Sequence, residues 1–293
     1  MVGRGELTDK AWAVIEPLLP LETGQRGGRW RPHRQVINAI LWKERTGAPW
    51  RDLPERYGPW KTAHERLRKW TADGTWDRIL EHVIVKDDSI GTFEDNIEFI
   101  VSIDSTSIRA HQHAAGARKK GAAPPGSRNA FAIEGECLGR SRGGLTTKVH
   151  LAVDRDGLPL SVILTPGQAG DNPQLLPLLD DIHTINVDGL QVTVARVLAD
   201  KAYTHPSTRK ELRRRKIKAT IPERSDQIQR RKDKGSAGGR PPAFDTEHYK
   251  LRNVVERCFN RLKQFRGLAT RFAKRAAYHR AEIVLACIVL HLR

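Results

Sequence analysis

With 293 residues the chain is long enough to bury a substantial core in one large or two modest domains. Hydrophobic residues at 39% and charged residues at 29% describe a globular chain rather than a disordered one, and no apolar run approaches the roughly 20 residues of a membrane span. The net charge of +17 is spread through the chain and points to a polyanionic partner, foremost nucleic acid. Three cysteines, Cys137, Cys258 and Cys287, form no CxxC pair, which speaks against a zinc finger or a disulfide framework. The N-terminal MVGRGELTDKAW carries no apolar signal stretch, so the expected location is the cytoplasm, with no membrane partner.

Residues 1–90 read as a helical unit. Thr8 is a cap ahead of Trp12, Val14, Ile15 and Leu18-Leu19, and Val36, Ile37, Ile40 and Leu41 repeat with helical spacing. In GAPWRDLPERYGPWKTAHERLRKW, the residues Trp60, Ala63, His64, Leu67 and Trp70 share one helical face, with Lys61, Arg66, Arg68 and Lys69 off it. Short helices with a basic outer face fit a helix-turn-helix, in which Lys61, Arg66 and Lys69 would contact DNA. The alternative is a plain helical subdomain with a solvated charged face.

From residue 97 to 293 the texture is that of a second, α/β domain. Residues 99–103 form an apolar strand expected to end at Asp104. A long basic loop is expected over 106–143. Residues 145–153 and 158–164 form a hairpin about the DRDG turn, to which Asp154 and Asp156 are assigned. A helix through Leu175, Leu176 and Leu179 leads to a second buried strand, 192–199, ending at Asp200. A helix near 206–215, a strand at 217–221, a basic Gly-rich loop at about 224–242 and a helical region at 246–292 complete the chain. The layout is a mixed sheet flanked by helices, in which active residues gather at strand ends.

Two carboxylates at neighbouring strand ends repel unless a cation lies between them, and hard oxygen donors suit Mg²⁺ or Mn²⁺. On a continuous helix turning about 100° per residue, Tyr249, Arg252, Glu256 and Lys263 fall within a stripe of roughly 60°. The opposing side, with Val254, Val255, Cys258 and Leu262, faces the core. Glu256 thus completes a candidate metal site with Asp104 and Asp200, while Arg252 and Lys263 are placed to meet phosphates. Each feature alone has an ordinary explanation: an Asp in a turn, or a helix with salt-bridging charges.

The spacing of Tyr249, Arg252, Glu256 and Lys263, together with IDST at Asp104 and LADKAY at Asp200, resembles the DDE transposases of bacterial insertion sequences. LTDKAWAVIEPLLP and GAPWRDLPERYGPW resemble the insertion-sequence-5 family, so the likeness spans nearly the whole chain. The resemblance implies a ribonuclease-H-like catalytic core with the triad Asp104, Asp200 and Glu256. It also implies an N-terminal domain that binds the terminal inverted repeats, with Tyr249, Arg252 and Lys263 handling the element end.

Phosphodiester cleavage needs an activated water and a stabilised leaving oxygen, which two shared divalent ions supply. The expected partners are double-stranded DNA, as element ends and target, and a second copy of the chain in a dimer or larger synaptic assembly. Two other readings remain: a DNA-binding repressor without catalysis, and a nuclease that cuts without joining. Tyr249 as a covalent nucleophile would need several Arg and His residues activating the phosphate and would make the carboxylates spectators, and Ser105 lacks a GxSxG turn. His111 and His113 read as loop residues, although their type could bind metal.

Overall fold

The computed structural model describes residues 3–23, 30–86, 98–116, 134–187 and 190–293. The N-terminal part is helical, as its periodicity requires. Helix α1 (Asp9–Ile15) starts at Thr8, whose hydroxyl accepts the Ala11 N–H at 3.1 Å. Helix α2 (His33–Thr46) ends at Gly47, whose φ of 71° is the left-handed cap that glycine adopts without strain. Helices α3 (Trp60–Ala72) and α4 (Thr75–Lys86) follow.

The sheet begins with β1 (Ile100–Ala110), then a single helical turn, α5 (Gln112–Ala115). Next come β2 (Gly139–Ser141), β3 (Gly144–Val153), β4 (Pro159–Pro166) and helix α6 (Leu175–His183). A separate ribbon of β5 (Asn186–Val187) and β6 (Leu190–Gln191) precedes β7 (Arg196–Ala199), α7 (Pro206–Arg214), β8 (Lys218–Thr220) and α8 (Ser225–Asp233). The chain closes with α9 (Thr246–Lys250), α10 (Asn253–Lys263), α11 (Arg266–Ala269), β9 (Thr270–Arg271) and α12 (Ala276–His291). Among the described residues no helix is long and apolar enough to cross a membrane.

One edge of β1 pairs antiparallel with β3 from Ser102 to Arg109. Its other edge takes β7 in parallel at residues 100–103 and β9 in parallel at 109–110. Strand β8 extends the sheet beyond β7, and β2 and β4 share the far edge of β3. The parallel pairs mark this as a mixed sheet, with α10 against β1 and β3 and α6 against β4.

The N-terminal helices do not stand apart. Helix α4 packs along α12, α2 meets α11, and residues from both halves belong to one cluster of buried side chains. Lys43 of α2 is buried between Glu44 and Glu282 of α12, at 2.7 and 2.8 Å.

Several expectations need correction. Strand β1 does not end at Asp104 but runs six residues further, because the long partner β3 supplies hydrogen bonds to Arg109. The basic loop therefore begins after Ala110 and is interrupted by α5 and β2; residues 117–133 lie outside the described residues. Only residues 196–199 of the second apolar run join the sheet, and the β5–β6 ribbon was not expected. The Gly-rich segment at 224–242 contains helix α8, supported along its face by Arg230 with Asp226 and Gln229 with Asp233. The expected continuous helix through Tyr249 and Lys263 is two helices. At the join, the N–H groups of Leu251, Arg252, Val254 and Val255 each bond a carbonyl three residues back, a tighter winding than the α-helix.

Candidate active site

The parallel register of β1 and β7 pairs Ile103 with Ala199, so the next residues, Asp104 and Asp200, emerge side by side. Asp104 Oδ1 accepts its neighbour's N–H, from Ser105, at 2.8 Å. Asp200 caps the short helical turn after β7, its Oδ1 accepting the Ala202 N–H at 2.8 Å. Burial raises the pKa of Asp104 and the Asp200 carboxylate adds to that, against the opposing pull of the Ser105 N–H and Arg252.

Arg252 lies at the join of α9 and α10 and links the helix to the strand. Its Nη1 donates to Asp104 Oδ2 at 3.0 Å, and its Nη2 donates to Glu256 Oε1 one turn along α10. Burial opposes the charge of this guanidinium, but Asp104 and Glu256 outweigh it and raise its pKa. Lys263, at the end of α10, donates from Nζ to Thr106 Oγ1 at 3.0 Å. Asp104 and Thr106 are two apart on β1 and share a sheet face, so the cations of α10 line the strand beside the carboxylate. The ring of Tyr249 lies 5.9 Å from the Arg252 guanidinium and 5.1 Å from the Phe244 ring.

On the other face of the sheet lies a group that sequence reading missed. Ser105 Oγ donates to Asp171 Oδ1 at 2.6 Å, and Lys148 Nζ stands 3.0 Å from the same oxygen. His150 is fully buried, with Nε2 2.8 Å from Thr165 Oγ1 and Nδ1 3.9 Å from Asp171. Burial pushes its pKa down to about 4. The Tyr203 hydroxyl is also buried, and its pKa is raised by burial first and then by Asp171, Asp104 and Asp200. The available signal was Lys148 and His150 at alternating positions of β3, a polar stripe on one face. Asp171, ahead of Asn172-Pro173, looks like ordinary helix-start chemistry in one dimension.

The N-terminal candidates divide. Lys61 and Lys69 are exposed on α3, with the Lys69 ammonium 4.2 Å from the Trp30 ring. Arg66, expected on the same outer face, is 7% exposed: its guanidinium stacks 3.6 Å from the Trp30 ring and lies 3.1 Å from His33 Nδ1. Trp30 lies between α1 and α2, outside any helix, and its position could not be read from the helical period. His111 and His113 sit at α5, their rings 4.6 Å apart.

Residues 98–291 match the family described as "Transposase DDE domain". The chain is a DDE transposase. Residues 7–80 match a second family, "Putative transposase of IS4/5 family". The transposase is 34% identical over 174 residues to the "Putative transposase for insertion sequence element IS402" of Burkholderia cepacia, across 56% of this chain and 75% of that one. It is 34% identical over 149 residues to the "Putative transposase for insertion sequence element IS6501" of Brucella ovis, across 51% of this chain and all of that one. A protein of Sinorhizobium fredii, y4sN, is 40% identical over 114 residues, 39% of this chain and 83% of the relative. A chain of the pre-cleavage Mos1 transpososome aligns over 92% of the transposase and 82% of its own length, but only at 14% identity and a TM-score of 0.25.

DDE transposases use divalent metal ions. Among the described residues no group of three His, Cys, Asp or Glu side chains is close enough to enclose one. Asp104 and Glu256 are bridged by the Arg252 guanidinium. The donor set nevertheless fits a hard cation. Asp104 and Asp200 are adjacent carboxylates, and Asp104 keeps a raised pKa even with Arg252 beside it, a charge that a further cation would relieve.

Proposed function

We propose that this transposase binds the terminal inverted repeats of its insertion sequence, cuts at the element ends and joins the freed 3′-hydroxyl to target DNA. Asp104, Asp200 and Glu256 are the catalytic carboxylates, and the observation that carries the reading is the convergence of Asp104 and Asp200 on one sheet edge under the Arg252 bridge. Two Mg²⁺ ions, replaceable by Mn²⁺, held by these carboxylates would supply charge neutralisation at the phosphate and an acidified water.

The protein's own groups do the rest. The Ser105 N–H fixes the rotamer of Asp104, and the Ala202 N–H does the same for Asp200. Arg252 keeps Asp104 and Glu256 within one guanidinium of each other and offers its charge to a phosphate when the pair opens. Lys263 and Tyr249 flank it along α9 and α10 and hold the element end in register with the carboxylates.

Residues 97–293 act as the catalytic, ribonuclease-H-like part, and residues 1–90 as the DNA-recognition part. In the latter Lys61 and Lys69 of α3 contact backbone phosphate in a helix-turn-helix-like manner, while Arg66 supports the helix from inside. Two element ends must be joined, so the working form is a dimer or larger synaptic assembly, acting in the cytoplasm of the bacterial host.

The test is a strand-transfer assay with end-bearing DNA and Mg²⁺. Asp104→Asn, Asp200→Asn and Glu256→Gln are each expected to abolish both cutting and joining while leaving end binding in place. Intact joining in any of the three removes that residue from the triad. Cutting without joining by the wild type would make the protein a nuclease, and binding without either would make it a repressor.

A further inference from the structure

The segment GAPWRDLPERYGPW is not used by the carboxylate site. Its first four residues, Gly47 to Trp50, form part of one wall of a cavity of about 540 Å³ whose opposite wall is the chain from Phe272 to Glu282. Trp50 lines it from the N-terminal side, and Phe272 and Tyr278 from the other. Arg68 and Lys274 add positive charge, and Arg68 Nε donates to the Tyr278 hydroxyl at 3.1 Å, which orients the ring. Lys43 and Glu282 also reach the lining, but they are 2.8 Å apart, almost wholly buried and paired with each other.

Cavities of about 300–1,000 Å³ enclose small organic ligands. Aromatic walls with cations beside them suit a flat base attached to a phosphate: the rings stack on the base and the cations meet the anion. An inorganic anion would leave the rings unused. A base pair within an intact duplex is stacked on both sides and cannot enter, so the ligand must be an unpaired nucleotide. The cavity is also distinct from the catalytic edge. Arg271, next to Phe272, pairs with Ala110, six residues along β1 from Asp104, a separation of roughly 20 Å at strand rise.

We propose that this cavity is a second DNA site, which takes an unpaired nucleotide of the strand whose duplex part lies at the carboxylates. The proposal rests on the DNA-processing reading above. It gives the GAPW segment a role in recognising exposed single-stranded DNA near the cut and sets the N-terminal helices and α12 as the two jaws of that grip.

The test compares, by fluorescence anisotropy, a blunt end-bearing duplex with the same duplex carrying a single-stranded extension of about ten thymidines, within the range of known single-strand footprints. The extension is expected to tighten wild-type binding on the order of tenfold, as one well-stacked base would. Tyr278→Ala and Lys274→Gln should each lose most of that gain with blunt-duplex affinity unchanged, and Tyr278→Phe, which keeps the ring, should retain it. With 5-iodouracil in the extension, the photo-cross-link should fall on the peptide containing Phe272 and Tyr278 or on that containing Trp50.

No gain from the extension in the wild type, retention of the gain in both Tyr278→Ala and Lys274→Gln, or a cross-link elsewhere overturns the proposal. So does saturable binding of free thymidine monophosphate without any gain from the extension, which would make the cavity a mononucleotide site. A wild type that binds neither DNA overturns the DNA-processing reading itself, a result distinct from blunt-duplex binding without the gain.

Discussion

At the sheet edge Arg252 lies between Asp104 and Glu256; at the seam between the N-terminal helices and α12, Lys43 lies between Glu44 and Glu282. Both clusters set two carboxylates against one cation, and they handle the excess negative charge differently. In the seam everything is buried. Glu282 is held well below the usual carboxylate range, since Lys43 and His279 outweigh burial, whereas burial and Glu282 together push Glu44 up to about 8. Burial thus works against two fully ionised carboxylates beside the one ammonium. At the sheet edge the Glu256 side chain is 49% exposed, so solvent screens its charge. The same ingredients make a buried structural link in the seam and a partly solvent-exposed bridge at the sheet edge.

The sharpest way to break this comparison is to alter each cluster and ask which property fails. Asp104→Asn should reduce the strand-transfer rate on the order of 10⁴-fold, as loss of a central catalytic group does, while the midpoint of urea unfolding stays the same or rises because a crowded buried charge is removed. A large fall in stability with little change in rate would reverse the roles assigned to the two clusters.

Lys43→Met should do the opposite. Leaving Glu282 buried without its cation is expected to cost about 3–5 kcal/mol in a denaturant titration. The double variant Lys43→Met with Glu282→Gln should recover part of that loss, since the stranded charge is then gone; no recovery would mean that packing, not charge, joins α2 to α12.

The group behind the sheet sharpens the contrast through pH. His150 has a folded pKa of about 4 against an ordinary 6.5, so the native state holds it neutral while the unfolded chain protonates it. Its contribution is fully present above pH 6.5 and is lost as pH falls from 6.5 towards 4, by up to about 3 kcal/mol. The difference between wild type and His150→Asn in unfolding free energy should therefore change across that window and be flat above it; a pH-independent difference would mean that His150 is already charged in the fold.

The smallest effect is expected at Lys263→Ala. Loss of one phosphate contact should weaken end binding several-fold and reduce the slope of log affinity against log salt by about one, with no change in unfolding midpoint. An unchanged salt slope would leave Lys263 as a partner of Thr106 alone.

Much of this site could be read along the chain. The apolar runs before Asp104 and Asp200 announced two buried strands, and the spacing from Tyr249 to Lys263 announced a helix edge carrying Glu256 between two cations. That edge survives the break at Leu251–Arg252 because Arg252 and Glu256 remain one turn apart. The readings that failed did so for tertiary reasons. Arg66 looked exposed because a helical period cannot show that Trp30, from outside the helix, stacks on it. Strand β1 looked short because its far half, SIRA, has no apolar run of its own and is held by β3 and β9. Asp171 joins Ser105 across 66 residues, a contact that no local pattern encodes.

The sequence by itself determined the local periods, the caps, the three candidate carboxylates and the basic charge, because each depends on neighbours a few residues away and on side-chain chemistry. Only the tertiary structure decided that Asp104 and Asp200 stand abreast, that Arg252 ties the helix to the strand, that the N-terminal helices share a core with α12 and that an aromatic, basic cavity opens between them. Those facts depend on strand register and on which faces bury one another, and both are set by closing the whole chain rather than by any stretch of it.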